Sequence, residues 1–163
     1  MIKTVTEQTS EDYEKMGSFN HSYVQVKLGA LLVTQTNYTV CSELSLDVSQ
    51  IDWSNLNMKA RDEMIPDLCL YPKRGLSLPR DILRMSEPPL SAIEIISPRQ
   101  GTDDILLKFQ IYFEMGVKTC WLVDPTLGII ALYQSPTKHA IFSSGDLFDQ
   151  TLNIHLPVAE IFA

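Results

Sequence analysis

The sequence predicts an α/β protein, an α+β mixed sheet with a helix on each face. Residues 90–123 read as strand, helix, strand. Strand-like segments precede them with no helix between, and two amphipathic helical stripes need a sheet to cover them.

Thr9 or Ser10, followed by Glu11 and Asp12, marks the N-cap and first turn of a short helix ending near Gly17. A second helix follows, capped by Ser18 or Asn20, with Val24, Leu28, Leu31 and Leu32 on one face. From Tyr38 to Val48 the period changes to two. Val40, Leu44, Leu46 and Val48 alternate with Thr39, Cys41, Glu43, Ser45 and Asp47, which predicts a strand. Ser49 to Met64 is a polar connection, and Ile65 to Tyr71 is the next strand, with Pro66 at its entry and Pro72 at its end. The stretch from Pro72 to Pro89 holds four prolines and mixed charge, the marks of a surface loop, with one helical turn expected over Arg80 to Met85.

Leu90 to Ile96 is almost wholly apolar, as a central strand covered on both faces should be. Asp103 to Met115 places Ile105, Phe109, Tyr112 and Phe113 along one side of a helix that Gly116 ends. Val117 to Val123 returns to a strand. A turn at Asp124-Pro125 and Gly128 leads to a hairpin of Ile129 to Tyr133 with Lys138 to Phe142, followed by a short tail. The order is helix, three strands, helix, strand, hairpin. The strands flanking the 103–115 helix are expected to be parallel neighbours joined by a right-handed crossover, and the earlier strands antiparallel.

A length of 163 residues suits one domain over 1–163, and 45% apolar with 20% charged residues excludes a disordered or fibrous chain. Apolar runs of about six residues, such as Leu28 to Val33, are far too short to span a bilayer. The first residues lack the apolar region of a signal peptide, so the cytoplasm is the expected compartment. Cys41, Cys69 and Cys120 lie far apart in apolar segments and read as small packing residues rather than a disulfide framework or zinc site. Thirteen basic against twenty acidic side chains give a net charge of −7, so any nucleic-acid contact must be local or metal-assisted.

There is no Gly-x-Ser-x-Gly elbow, Gly-rich phosphate loop or Cys-x-x-Cys pair, and His21, His139 and His155 are scattered. Ionisable residues inside apolar segments are the remaining signal. Asp67 enters one strand, Glu94 interrupts Ala92-Ile93 and Ile95-Ile96, and Lys108 lies between Leu107 and Phe109 on the following helix. On adjacent strands the two carboxylates can converge, with Lys108 in reach. Together with a strand carbonyl they are hard oxygen ligands suited to Mg²⁺ or Mn²⁺. A lysine beside them could position water and offset developing phosphate charge. Asp67 could equally start a strand after a turn, Lys108 could be a snorkelling surface lysine, and a structural Glu94–Lys108 ion pair would account for both of its members.

Ile65-Pro66-Asp67-Leu68-Cys69-Leu70, Ala92-Ile93-Glu94-Ile95-Ile96-Ser97-Pro98, Asp104-x-x-x-Lys108-x-x-x-Tyr112-x-x-x-Gly116-Val117 and Trp121-Leu122-Val123-Asp124-Pro125 together resemble the Uma family of endonucleases. That family belongs to the PD-(D/E)XK restriction-endonuclease-like superfamily. The resemblance covers about Leu44 to Pro125 and implies a core of helix, three-stranded meander, helix and strand. It implies that Asp67 and Glu94 hold Mg²⁺ or Mn²⁺ and that Lys108 completes the catalytic set. The superfamily's usual lysine position is Ile96 here, and the family's pattern moves the lysine to the next helix. His21 resembles a recurrent family position, Tyr112 would brace the helix against the sheet, and Glu43 could add a carboxylate, although solvent exposure explains it as well. Lys73, Arg74, Arg80, Arg84 and Arg99 offer local positive charge for phosphate, or are simply solvated.

The function expected is a divalent-metal-dependent endonuclease acting on DNA. A catalytically silent nucleic-acid-binding or protein-interaction module of the same fold, and a metal-dependent phosphohydrolase of small ligands, are the alternatives. Many family members begin with an additional strand or hairpin, which suggests a shortened sheet edge here and a homodimer.

Overall fold

The computed structural model describes residues 17–163, so the helix expected from Thr9 or Ser10 to Gly17 lies outside the described residues apart from Gly17 itself. The elements are α1 (Phe19–Gln35), β1 (Tyr38–Ser42), β2 (Leu46–Asp47), β3 (Glu63–Met64), β4 (Leu68–Pro72), β5 (Ser91–Ile95), α2 (Thr102–Met115), β6 (Thr119–Asp124), β7 (Ile129–Ser135), β8 (Lys138–Phe142), β9 (Asp146–Asp149), β10 (Ile154–Pro157) and α3 (Val158–Phe162). Six strands form the main sheet in the order β1-β4-β5-β6-β7-β8. β5 and β6 are parallel and joined through α2, and every other neighbouring pair in this sheet is antiparallel.

Strict alternation distributes each strand between two cores. Ile93, Ile95, Trp121 and Val123 face α1, whose Val24, Leu28 and Leu32 are buried against them. Ala92, Cys120 and Leu122 face α2 and pack with Ile105, Phe109 and Tyr112. A sheet covered on both sides explains why Leu90 to Ile96 reads as one apolar run. Ser18 caps α1, its hydroxyl accepting the His21 N–H at 3.2 Å. Gly116 ends α2 with φ +104°, a left-handed conformation that costs glycine little.

Four expectations need correction. The period-two pattern from Tyr38 to Val48 is not one strand: the chain turns at Glu43, where φ is +51°, and Leu46–Asp47 pairs instead with Glu63–Met64 in a separate ribbon. Leu46 and Val48 stay buried beyond that turn, so the apolar spacing survives the break. Likewise the Ile65 to Tyr71 segment becomes strand only from Leu68. No helical turn forms over Arg80 to Met85, because Met85 is held in an isolated parallel bridge to Leu46, with its N–H donated to Ser45 O at 2.8 Å.

The fourth correction concerns the tail, which is a second hairpin, β9–β10, followed by α3. Leu147, Ile154, Leu156 and Ile161 bury themselves in the α1-side core. Asp149 fastens this hairpin to the sheet. Its Oδ2 accepts the Thr119 hydroxyl at 2.8 Å and the Trp121 indole N–H at 3.0 Å, and its Oδ1 accepts the Leu152 N–H at 3.2 Å. Among the described residues no helix is long and apolar enough to cross a membrane.

Candidate functional site

Asp67, Glu94, Lys108, Tyr112 and His21 come together where β4 begins and β5 ends, the antiparallel pairing of Leu68 with Ile93 setting the two carboxylates on adjacent strands. Asp67 is gripped from three elements. Its Oδ2 accepts the Ile95 N–H of β5 at 2.7 Å and lies 3.1 Å from His21 Nε2 of α1. Its backbone carbonyl accepts Gln25 Nε2 at 3.0 Å and the Glu43 N–H at 3.2 Å. The Glu43 side chain is exposed at the turn after β1, rather than on the polar side of a continuous strand, and it acts on the site through charge.

Glu94 stands on the α2 face of a central strand and is 2% exposed. One turn of α2 presents both of its partners. The Tyr112 hydroxyl donates to Oε1 at 2.6 Å, and Lys108 Nζ lies 3.9 Å from Oε2. Burial is the main force on this carboxyl and pushes its pKa up to about 7. The Lys108 ammonium opposes that shift, the neighbouring Asp67 charge and a shared hydrogen bond with Asp67 add to it, and the Tyr112 hydroxyl pulls back. The pair of acids is thus short of positive charge despite Lys108. The His21 pKa is raised as well: its hydrogen bond to Asp67 is the main cause, burial opposes, and the charges of Asp67, Glu94 and Glu43 add to the rise.

Lys108 and Tyr112 also line a cleft of about 540 Å³ whose opposite wall comes from the connection before β4 and from the Pro72 to Pro89 loop. That wall contributes Lys59, Arg61, Asp62, Glu63 and Arg84, and Arg84 Nη2 lies 3.4 Å from Glu63 Oε2. Of the basic residues expected to meet phosphate, Arg84 therefore stands at the site. Arg99 is exposed on the chain leaving β5, at the same end of the sheet. Lys73 and Arg74 follow the far end of β4, roughly 20 Å along the strand from Asp67. Arg74 is also committed elsewhere, paired with Glu87 through two hydrogen bonds of 2.7 and 3.0 Å and stacked over Tyr71. Arg80 is exposed on the loop, its carbonyl accepting the Ser77 hydroxyl.

Gln25, Lys59 and Arg61 escape sequence reasoning. Gln25 sits one turn after His21 on the same helix, and that spacing is the one signal for it. Lys59 and Arg61 look like any solvated loop until β2 and β3 fold the connection back over α2.

Among the described residues no three His, Cys, Asp or Glu side chains converge as a ready metal cluster. Two hard carboxylates with a shortage of positive charge nonetheless suit Mg²⁺ or Mn²⁺. Magnesium usually takes only one or two protein carboxylates and fills its remaining positions with water and substrate phosphate.

Comparisons with known proteins agree with this architecture. No curated protein matches the chain. Among solved structures, a "putative nuclease belonging to DUF820" from Anabaena variabilis ATCC 29413 superimposes with a TM-score of 0.68 at 18% identity, covering 90% of this chain and 82% of that one. The two share a fold. The model of the Uma2 family, described as "putative restriction endonuclease", matches residues 11–159, and over that span the chain belongs to the Uma2 family.

Proposed function

We propose that the protein is a divalent-metal-dependent endonuclease that hydrolyses phosphodiester bonds in DNA, with Asp67 and Glu94 holding Mg²⁺ or Mn²⁺. The observation that carries this reading is the Asp67–Glu94 pair with Lys108 beside it, Lys108 itself lining a cleft whose other wall brings Lys59, Arg61 and Arg84 together beside Asp62 and Glu63 although the whole chain carries a net charge of −7. A bound divalent cation would supply Lewis-acid activation of water and neutralise phosphate charge.

The chain's own groups have separate tasks. His21 and the Ile95 N–H fix the direction of the Asp67 carboxylate, and Gln25 holds the Asp67 backbone carbonyl. Tyr112 fixes Glu94. Lys108, held near Glu94 but reaching the cleft, stabilises the negative charge that grows on the phosphate as the bond to the leaving oxygen breaks. Lys59, Arg61 and Arg84 grip flanking phosphates.

Calorimetry with Mn²⁺ tests the reading. The native protein should bind, Asp67→Asn and Glu94→Gln should lose binding while staying folded, and Lys108→Ala should bind Mn²⁺ but fail to cleave DNA. Absence of Mn²⁺ binding by the folded native protein would overturn it.

A further inference from the structure

The α2 face of the sheet carries a second pair of chemically competent side chains, one row along from the carboxylates. Cys41 of the edge strand β1 and Cys69 of β4 are direct cross-strand partners. Far apart in sequence, they read there as two unrelated packing residues. Directly opposed residues of antiparallel strands point to the same face with Cβ atoms about 4.5–5.5 Å apart. Cys69 is wholly buried and Cys41 is partly exposed, so one sulfur is reachable from solvent and the other is reachable only from the first.

We propose that Cys41 and Cys69 form a dithiol site that a small-molecule disulfide, of the glutathione class, closes into a cross-strand disulfide. The Cys41 thiolate attacks one sulfur of the small disulfide, forming a mixed disulfide and releasing one small thiolate. Cys69 gives its proton to that thiolate and attacks the Cys41 sulfur, releasing the second small thiol. The protein loses two hydrogen atoms and two electrons, and the small disulfide is reduced to two thiols.

The fold permits the closure. A disulfide brings Cβ atoms to about 3.8 Å, so the β1–β4 pair must tighten by roughly 1 Å. Among the described residues β1 is the edge of the six-stranded sheet and pairs only with β4, so it can follow. Cys120 cannot react in this way: it is buried on β6 between Ala92 and Tyr133, with no thiol across from it on either neighbouring strand. It serves as an internal control.

The test is intact mass and peptide mapping of the native protein after incubation with glutathione disulfide at pH 7.5. This readout does not depend on cation binding or cleavage. The wild type should lose two hydrogen atoms, with a mapped Cys41–Cys69 link that dithiothreitol reverses. Cys69→Ser should stop at one glutathione on Cys41, and Cys41→Ser should not react. A folded wild type that retains a mixed disulfide on Cys41, or that forms the link only in denaturant, would overturn the proposal.

Discussion

Replacing Glu94 by glutamine separates a metal-binding carboxylate from a structural ion pair, because the two readings give opposite signs. In the metal-free protein the folded-state pKa of Glu94 is raised from an ordinary 4.5 to about 7, chiefly by burial. The folded state then holds more protons than the unfolded state between those values. The group's cost to folding is therefore absent below pH 4.5, grows as pH rises, and is complete above pH 7. A shift of about 2.5 units corresponds to about 3 kcal/mol. Glutamine carries no charge, and its oxygen can still accept the Tyr112 hydroxyl. Lys108 loses a partner 3.9 Å away but lines the cleft, where its ammonium can reach water. Urea unfolding in EDTA at pH 8 should therefore find Glu94→Gln more stable by about 2–3 kcal/mol, with the gap closing towards pH 4.5. With Mn²⁺ at about a hundred times its dissociation constant, the wild type alone should gain about 2.7 kcal/mol, which removes or inverts the order. If the ion pair were the residue's purpose, removing one partner would destabilise the protein by about 3–5 kcal/mol. That result in EDTA at pH 8 would refute the reasoning.

His21→Gln should cost stability in acid and not in base. The His21 pKa is raised by its bond to Asp67, so this contribution is fully present below about 6.5, and it is lost as pH rises through the folded value. Denaturation of both proteins at pH 5.5 and pH 9 checks the sign. Asp149→Ala should destabilise by about 3–5 kcal/mol, since it strands the Trp121 and Leu152 N–H groups at about 1–3 kcal/mol each and leaves a small void, while the Thr119 hydroxyl keeps Ser91 as a partner. Urea unfolding followed by Trp121 fluorescence measures it, and Mn²⁺ binding by the folded fraction should be unchanged.

The sequence made the central strands and their charges legible for one physical reason: a strand covered on both faces tolerates almost nothing polar, so Glu94 stands out among Ala92, Ile93 and Ile95. The same reasoning picked out the faces of α1 and α2. It failed where the pattern and the backbone part company. Leu44, Leu46 and Val48 keep a period of two through the Glu43 turn, because β2 buries the same alternate residues against a different layer. Residues 146–157 carry alternation at Leu152, Ile154 and Leu156, but Asp149 occupies an inward position in the preceding strand and disguises it. Its partners Thr119 and Trp121 lie about thirty positions away, and no local rule connects them. Cys41 and Cys69 illustrate the same limit: only the strand register brings the two thiols face to face.

A net charge of −7 does not by itself prevent this protein from gripping a polyanion. At physiological ionic strength charges separated by more than about 8 Å are largely screened, so acids elsewhere on the surface weigh little against cations at contact distance. What decides binding is the number of phosphates met in the cleft. If Lys59, Arg61 and Arg84 each neutralise one, the logarithm of affinity for duplex DNA should fall against the logarithm of salt concentration with a slope of about −2.7, or about −2.1 for a single strand. Arg84→Ala should make the duplex slope shallower by about 0.9 and weaken binding to all sequences alike, since a phosphate contact carries no base information. Fluorescence anisotropy in Ca²⁺ over a salt series measures both slopes. A slope unchanged by Arg84→Ala would mean that DNA does not enter by this cleft, whatever the role of Asp67 and Glu94 beneath it.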